Sequence, residues 1–218
     1  MARKNFDAHL DELHAELIRM GSRVEKQLHQ AIESLVNKDV ELAQQVIDDD
    51  DIIDDMQKEI EDKSIRLIAM QNPIAVDLRN IFTTTKIATD LERIADHAVD
   101  IAKVTKRLKG EEFIKKLIDI PKMGATVRAM IHDSLDAYIK GDVDSSYEIC
   151  KRDDEIDAIY KQVFSELLVT MMKDPTTINQ ATQFLFICKF LERIADHTTN
   201  ICEWTIYLVT GEQVDLNQ

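Results

Sequence analysis

The heptapeptide "LERIADH" occupies residues 91–97 and recurs, letter for letter, at 191–197. Its apolar residues fall at helical spacing, and the stripes extend well beyond it. The first runs Ile87, Leu91, Ile94, Ala98, Ile101, Leu108; the second runs Ile187, Leu191, Ile194, Thr198, Ile201, Leu208. Two long amphipathic helices are expected at equivalent places in the two halves of the chain.

The flanking sequence repeats the same grammar. Phe6, Leu10, Leu13, Leu17, Met20, Val24, Leu28, Ala31 and Leu35 form a first stripe, and Val46, Ile53, Ile60 and Leu67 a second. In the other half, Met123, Val127, Met130, Ser134 and Tyr138 precede Ile149, Ile156, Tyr160, Val163 and Leu167. "NKD" at 37–39 ends the first helix, with Asp39 as N-cap of the next. "NP" at 72–73 ends the second, and its proline suits the first turn of the third. Gly110, "KGD" at 140–142, "DP" at 174–175 and Gly211 supply the remaining stops. The halves align at a shift of 103 early on ("RMG" at 19–21 with "KMG" at 122–124) and of 100 past the prolines. Five glycines and three prolines are too few to punctuate a sheet-rich chain of 218 residues. The expected fold is therefore all-α, with six long helices in two tandem antiparallel three-helix bundles. These span 1–110 and 111–218 and pack side by side.

A net charge of −14 argues against nucleic-acid binding, which needs a basic surface, and fits solubility, cation binding or a basic partner. Cys150, Cys188 and Cys202 are odd in number and lack CxxC spacing, as expected of reduced core thiols in a cytosolic protein. The N-terminus reads as no signal peptide, and no apolar run approaches the ~20 residues of a membrane span.

Glu92 and Asp96, like Glu192 and Asp196, lie four apart on one helix face, about 5–6 Å at Cβ. Asp50 with Asp54, and Asp153 with Asp157, do the same on the preceding helices. Residues equidistant from a hairpin turn lie level. The pairs 54/92 and 50/96 both centre on Pro73; 157/192 and 153/196 both centre between Asp174 and Pro175. Each hairpin thus gathers four carboxylates at one level, where like charges raise one another's pKa values and call for a cation. Arg93 and Arg193 could supply part of it and a bound metal the rest, with Asp100 and Asn200 as additional candidate members. All-oxygen ligands point to magnesium, calcium, manganese or iron, with room for more than one ion. The helical angle puts these acids on the outside of each bundle, an exposed metal site or acidic docking surface. His97 and His197 read as surface or outer-sphere residues.

Over essentially its whole length the sequence resembles the PhoU family. The resemblance rests on the tandem three-helix repeats, on Glu92-x-x-x-Asp96 and Glu192-x-x-x-Asp196, and on "KIATDLERIADHAVDIA" at 86–102. The second copy departs just ahead of the heptapeptide, "FICKF" replacing "KIATD", and again at Asn200. The resemblance implies a cytoplasmic, homodimeric, non-enzymatic negative regulator of phosphate uptake and of the phosphate-starvation response. It also implies two partners, the phosphate transporter ATPase subunit and a membrane sensor histidine kinase, with no membrane insertion of its own. Iron leads the metals so implied, divalent or trivalent and in multinuclear clusters, with zinc, manganese, magnesium or calcium as the other candidates. The alternative is a helical-bundle protein that buffers metal or uses it for hydrolysis or oxidation. Against it, the chain has no Glu-x-x-His, no nucleophile paired with a base and no glycine-rich phosphate loop.

Overall fold

The computed structural model describes residues 2–71 and 73–217, with side chains from residue 6 onward except that of residue 71. The first half comprises α1 (Ala2–Asn37), α2 (Val40–Asp48), α3 (Asp50–Gln71) and α4 (Ala75–Arg107). The second comprises α5 (Asp119–Lys140), α6 (Val143–Cys150), α7 (Asp153–Lys173), a 3-10 turn (Pro175–Thr177) and α8 (Ile178–Thr210). No strand occurs among the described residues. The chain is all-α and built as two tandem three-rod repeats.

One feature departs from six continuous rods. The middle rod of each half is interrupted, at Asp49 and at Lys151–Arg152. The backbone stays right-handed there but tightens, with Ile52 N donating to Asp49 O (3.2 Å) and Arg152 N to Ile149 O (2.9 Å). Positions 48–51 and 151–154 are all charged, so no packed side chain holds the rod straight. The break leaves Asp50 and Asp153 in the first turn of a new helix.

Elsewhere the stops act locally. Asp39 caps α2 by accepting from Leu42 N (2.9 Å), and Asp142 caps α6 by accepting from Ser145 N (3.0 Å). Gly141 and Gly211 take the left-handed conformation that closes α5 and α8, whereas Lys38 adopts it at Gly141's counterpart. Gly110 follows two residues after Leu108, the residue that caps α4. Pro73 precedes the N-cap, Ile74, instead of entering the first turn of α4, and Asn72 lies outside the described residues. Pro175 does open its turn, capped by Asp174.

Every stripe residue except Leu10, Tyr160 and Leu208, which are half-buried, is buried in one core that runs through both halves. Equivalent helices meet across the middle, α4 against α8 and α1 against α5. At the α1–α5 crossing a Cβ on Gly21 would run into Leu135 Cδ1, and one on Gly124 would lie 2.9 Å from Ile32 Cγ1. That is the physical content of the repeated "MG". Because α4 packs on both its own half and α8, it buries Ala88, Asp90, Ala95 and Val99 as well as its stripe.

Candidate functional site

The α3–α4 hairpin brings Asp50 and Asp54 level with Glu92 and Asp96. Glu92 feels the charges of Asp96, Asp54 and Asp50, and Asp50 those of Asp96 and Asp54. The α7–α8 hairpin does the same, Asp153 feeling Asp196, Asp157 and Glu192. Both quartets are thus in register on their turns.

Their setting differs from an exposed surface. All eight acids are half-buried, and the Glu92 and Glu192 side chains are only 16% and 14% exposed. Burial, more than like charge, accounts for the titration behaviour. It is the largest cause raising Asp50, Glu92 and Asp196, and it takes Asp153 up to about 7, with Asp196, Asp157 and Glu192 adding to it. Taking a carboxylate out of water costs more here than placing it beside another.

Different cations offset the charge in the two halves. Arg93 lies 3.4 Å (Nε) from Glu92 and 3.0 Å (Nη1) from Asp96. In the second half Lys189 approaches Glu192 at 2.5 Å and Lys161 approaches Asp157 at 3.0 Å, so Lys189 takes the place expected of Arg193. Asp153 Oδ1 is nonetheless shielded from solvent and accepts no hydrogen bond, and Glu92 Oε2, equally shielded, faces the Arg93 guanidinium at 3.4 Å without a hydrogen bond. Shielded carboxylate oxygens that accept no hydrogen bond, set among more carboxylates, are a donor set that fits a hard cation. Among the described residues no three such side chains are closed at coordinating distance, so binding an ion would require them to rotate inward.

A groove of about 590 Å³ runs between the quartets, lined from α4 by Arg93, Asp96, His97, Asp100 and Lys103 and from α8 by Arg193, Asp196 and His197. Asp100 belongs to this groove, pairing with Lys103 (3.4 Å) and lying 3.8 Å from His97. Asn200 is likewise engaged away from the quartet, donating to Asp90 (3.0 Å) and accepting from Asn217 (2.9 Å). The histidines are interface residues, not surface ones. Their ring centroids lie 6.0 Å apart where α4 meets α8. His197 Nδ1 lies 3.0 Å from Asp90 Oδ1, while the His97 ring stacks on Phe190 at 5.7 Å. Burial and the neighbouring His197 hold His97 below the usual imidazole range.

Asp90 is the residue that motif reading missed. Buried on α4, it meets His197 and accepts from Asn200 Nδ2 and Trp204 Nε1 (3.1 Å), all on α8. Its signal in the sequence was the divergence beside the heptapeptide, where the second copy has Phe190.

Two tandem three-rod repeats, each with a carboxylate quartet on its last hairpin, define a class of duplicated acidic helical bundles. The model of the PhoU domain matches the chain twice, over residues 17–105 and 120–205. A phosphate-specific transport system accessory protein PhoU homolog from Clostridium acetobutylicum is 61% identical over 218 residues, covering 100% of both chains. The crystal structure of PhoU from Pseudomonas aeruginosa superposes with a TM-score of 0.91 at 36% identity, over 95% of this chain and 100% of that one. That of the phosphate transport system regulatory protein PhoU from Streptococcus pneumoniae gives 0.90 at 35%, over 96% and 99%. The chain belongs to the PhoU family. No helix among its described residues is long and apolar enough to cross a membrane.

Proposed function

We propose that the protein is a non-enzymatic accessory regulator of phosphate transport. In this reading it works in the cytoplasm as a homodimer. It restrains phosphate uptake and the phosphate-starvation response by linking the transporter ATPase subunit to a sensor histidine kinase. The observation that carries it is full-length identity of 61% to a protein named as an accessory of phosphate-specific transport. The surface adds support, since an adaptor needs accessible apolar area. Both hairpin ends expose it, through Ile65, Met70 and Ile74 in one half and Val169, Met172 and Ile178 in the other.

The quartets Asp50, Asp54, Glu92, Asp96 and Asp153, Asp157, Glu192, Asp196 are the proposed metal ligands. Iron is the first candidate, and the shielded oxygens of Glu92 and Asp153, which accept no hydrogen bond, are the support. A bound ion would supply the positive charge that half-buried carboxylates lack. Arg93 and Lys189 hold the glutamates near their hairpins until it binds.

The test is affinity purification from cells grown with abundant phosphate, scored for the transporter ATPase and for bound metal. Co-purification of the ATPase, with raised phosphate uptake in a deletion strain, is expected. Unchanged uptake and no ATPase in the eluate would overturn the regulatory reading. Phosphoester turnover that depends on metal and disappears in Glu92→Gln would replace it with hydrolysis. A quadruple substitution at Asp50, Asp54, Glu92 and Asp96 that abolishes metal binding yet leaves regulation intact would make the metal structural.

A further inference from the structure

A groove of about 740 Å³ lies against α3, α4 and α8, and none of the eight quartet acids lines it. Ile65 and Ile68 line it from α3 and Leu78 and Phe82 from α4, and all four are exposed. Two cations of α4, Arg79 and Lys86, share the lining with Tyr207 of α8. The Arg79 guanidinium lies 5.5 Å from the centre of the Tyr207 ring. Lys86 Nζ lies 5.5 Å from the centre of the Phe82 ring and 5.9 Å from that of Trp204. The rings pack edge to face, Phe82 on Trp204 and Trp204 on Tyr207. Among the described residues neither cation meets a carboxylate, in a chain whose net charge is −14. The repeat does not supply this arrangement: Asn179, Thr182 and Phe186 stand at the positions matching Arg79, Phe82 and Lys86.

We infer that this groove is a docking site for an acidic amphipathic helix of a partner protein. The inference rests on the regulatory reading in that an adaptor must hold a partner, and it names the chemistry of one. Exposed apolar side chains on two neighbouring antiparallel helices form a trough that can bury the apolar face of a third. Aromatic rings and an arginine are the residue types that carry most binding energy at protein interfaces. The cations set polarity and register. Arg79 and Lys86 are seven residues apart, so they lie two turns apart on one face of α4, about 10 Å along its axis. Their contacts with Tyr207 and Trp204 put both on the α8 side of the groove. A docked helix therefore presents apolar residues at helical spacing and carboxylates two turns apart along that flank. Because the cations rest over rings and not in ion pairs, they meet those carboxylates without breaking a salt bridge. A second copy is disfavoured, since a two-fold contact would bring the cations of one groove to the same patch on its mate. An anionic membrane is disfavoured too, because the apolar groups line a recess and an acidic chain is repelled.

The experiment titrates the full-length protein into a labelled synthetic helical peptide free of tryptophan. Its leucines recur at helical spacing and two glutamates stand two turns apart on one flank; a control peptide carries lysines in their place. The glutamate peptide should bind one to one, change the emission of Trp204, which is the chain's one tryptophan, and weaken with added salt. It should bind about tenfold more tightly than the lysine peptide. Arg79→Glu combined with Lys86→Glu should invert that preference. The comparison of the two peptides on the wild type decides the matter even if the double variant fails to fold. The inference is overturned if neither peptide binds saturably below ~1 mM, if both bind alike, or if the preference survives the double reversal. It is also overturned if phosphatidylglycerol vesicles bind where the peptide does not, or if the double reversal dissociates a dimer in sedimentation. Uptake that proves unregulated while the peptide preference holds would remove the transport reading and leave the groove; regulated uptake with no peptide binding would remove the groove alone.

Discussion

In the first half, Arg93 reaches both Glu92 and Asp96, and His97 lies with its ring on Phe190. In the second half Glu192 is held by Lys189, and His197 meets the carboxylate of Asp90. The seven letters are the same, yet each copy takes its decisive neighbour from the other half. Positions 90 and 190, one residue ahead of the repeats, are exchanged across the α4–α8 contact. One histidine therefore faces an acid and the other a ring. Duplication fixes a backbone and a set of donors; what those donors experience is set by residues the duplication left free to change.

The largest expected effect breaks that exchange. Asp90→Ala strands the donors of Asn200 and Trp204 and leaves His197 facing a cavity, all within a buried interface. Losing one member of a buried charged network costs about 3 kcal/mol or more. Phe190→Ala removes a half-buried ring that stacks on His97, which should cost ~1–2 kcal/mol, less than a fully buried phenylalanine. Urea unfolding of both variants measures the gap. Equal midpoints would show that the asymmetry at 90 and 190 carries no weight in joining the halves.

That exchange also marks where the sequence stops being legible. Apolar stripes at helical spacing carried the rods, because a buried face must recur with the turn of the helix. The level of the quartets was legible too, since antiparallel register is fixed by distance from the turn and needs no side-chain knowledge. The break at Asp49 was not, because a like-charged run inside a periodic stripe reads equally well as a solvated face. Nor was the second buried face of α4: Ala88, Ala95 and Val99 look like filler until a second bundle is laid against them. The exchange of Lys189 for Arg193 turns on which long side chain reaches inward, and spacing leaves that open. Asp90 shared this difficulty, as a lone acid beside a motif made of acids.

A smaller effect sharpens the comparison at the other crossing. Gly21 and Gly124 occupy the same place in the two repeats, but Gly21 is the tighter, its Cβ position overlapping the buried Leu135 side chain. Alanine in a helix gains roughly 1 kcal/mol over glycine, and overpacking costs about 1–3 kcal/mol. Gly21→Ala, at the tighter site, should therefore destabilise by up to ~2 kcal/mol net, while Gly124→Ala, facing Ile32 at 2.9 Å, should fall within ~1 kcal/mol of neutral. Chemical denaturation of the two variants checks this. The opposite ranking would mean that α1 and α5 adjust at the first crossing more easily than at the second.

The smallest effect compares the quartets themselves. Asp50 and Asp153 hold equivalent places, and burial raises both. Asp50 is relieved by a hydrogen bond from Gln27 and by the charge of Lys103, whereas the main influences on Asp153 all raise it, to about 7. A carboxyl raised in the folded state contributes its stability fully below the unfolded value of 3.8 and loses it as pH climbs through about 7. Without metal, the wild type should thus lose stability between those limits. Asp153→Asn, neutral throughout, should remove much of that slope. After discounting for solvent screening, the gain at pH 8 is ~1 kcal/mol, or about 2–4 °C in Tm for a chain of this size. Asp50→Asn should gain less. Thermal melts in chelator at pH 5 and pH 8 measure both, and equal gains at pH 8 would remove the distinction between the quartets. Manganese added at pH 8 should reverse the order, stabilising the wild type above Asp153→Asn, because an ion that satisfies the carboxylate turns its cost into a binding contribution. If manganese leaves the wild-type melt unmoved, the acids are carried for something other than holding a cation.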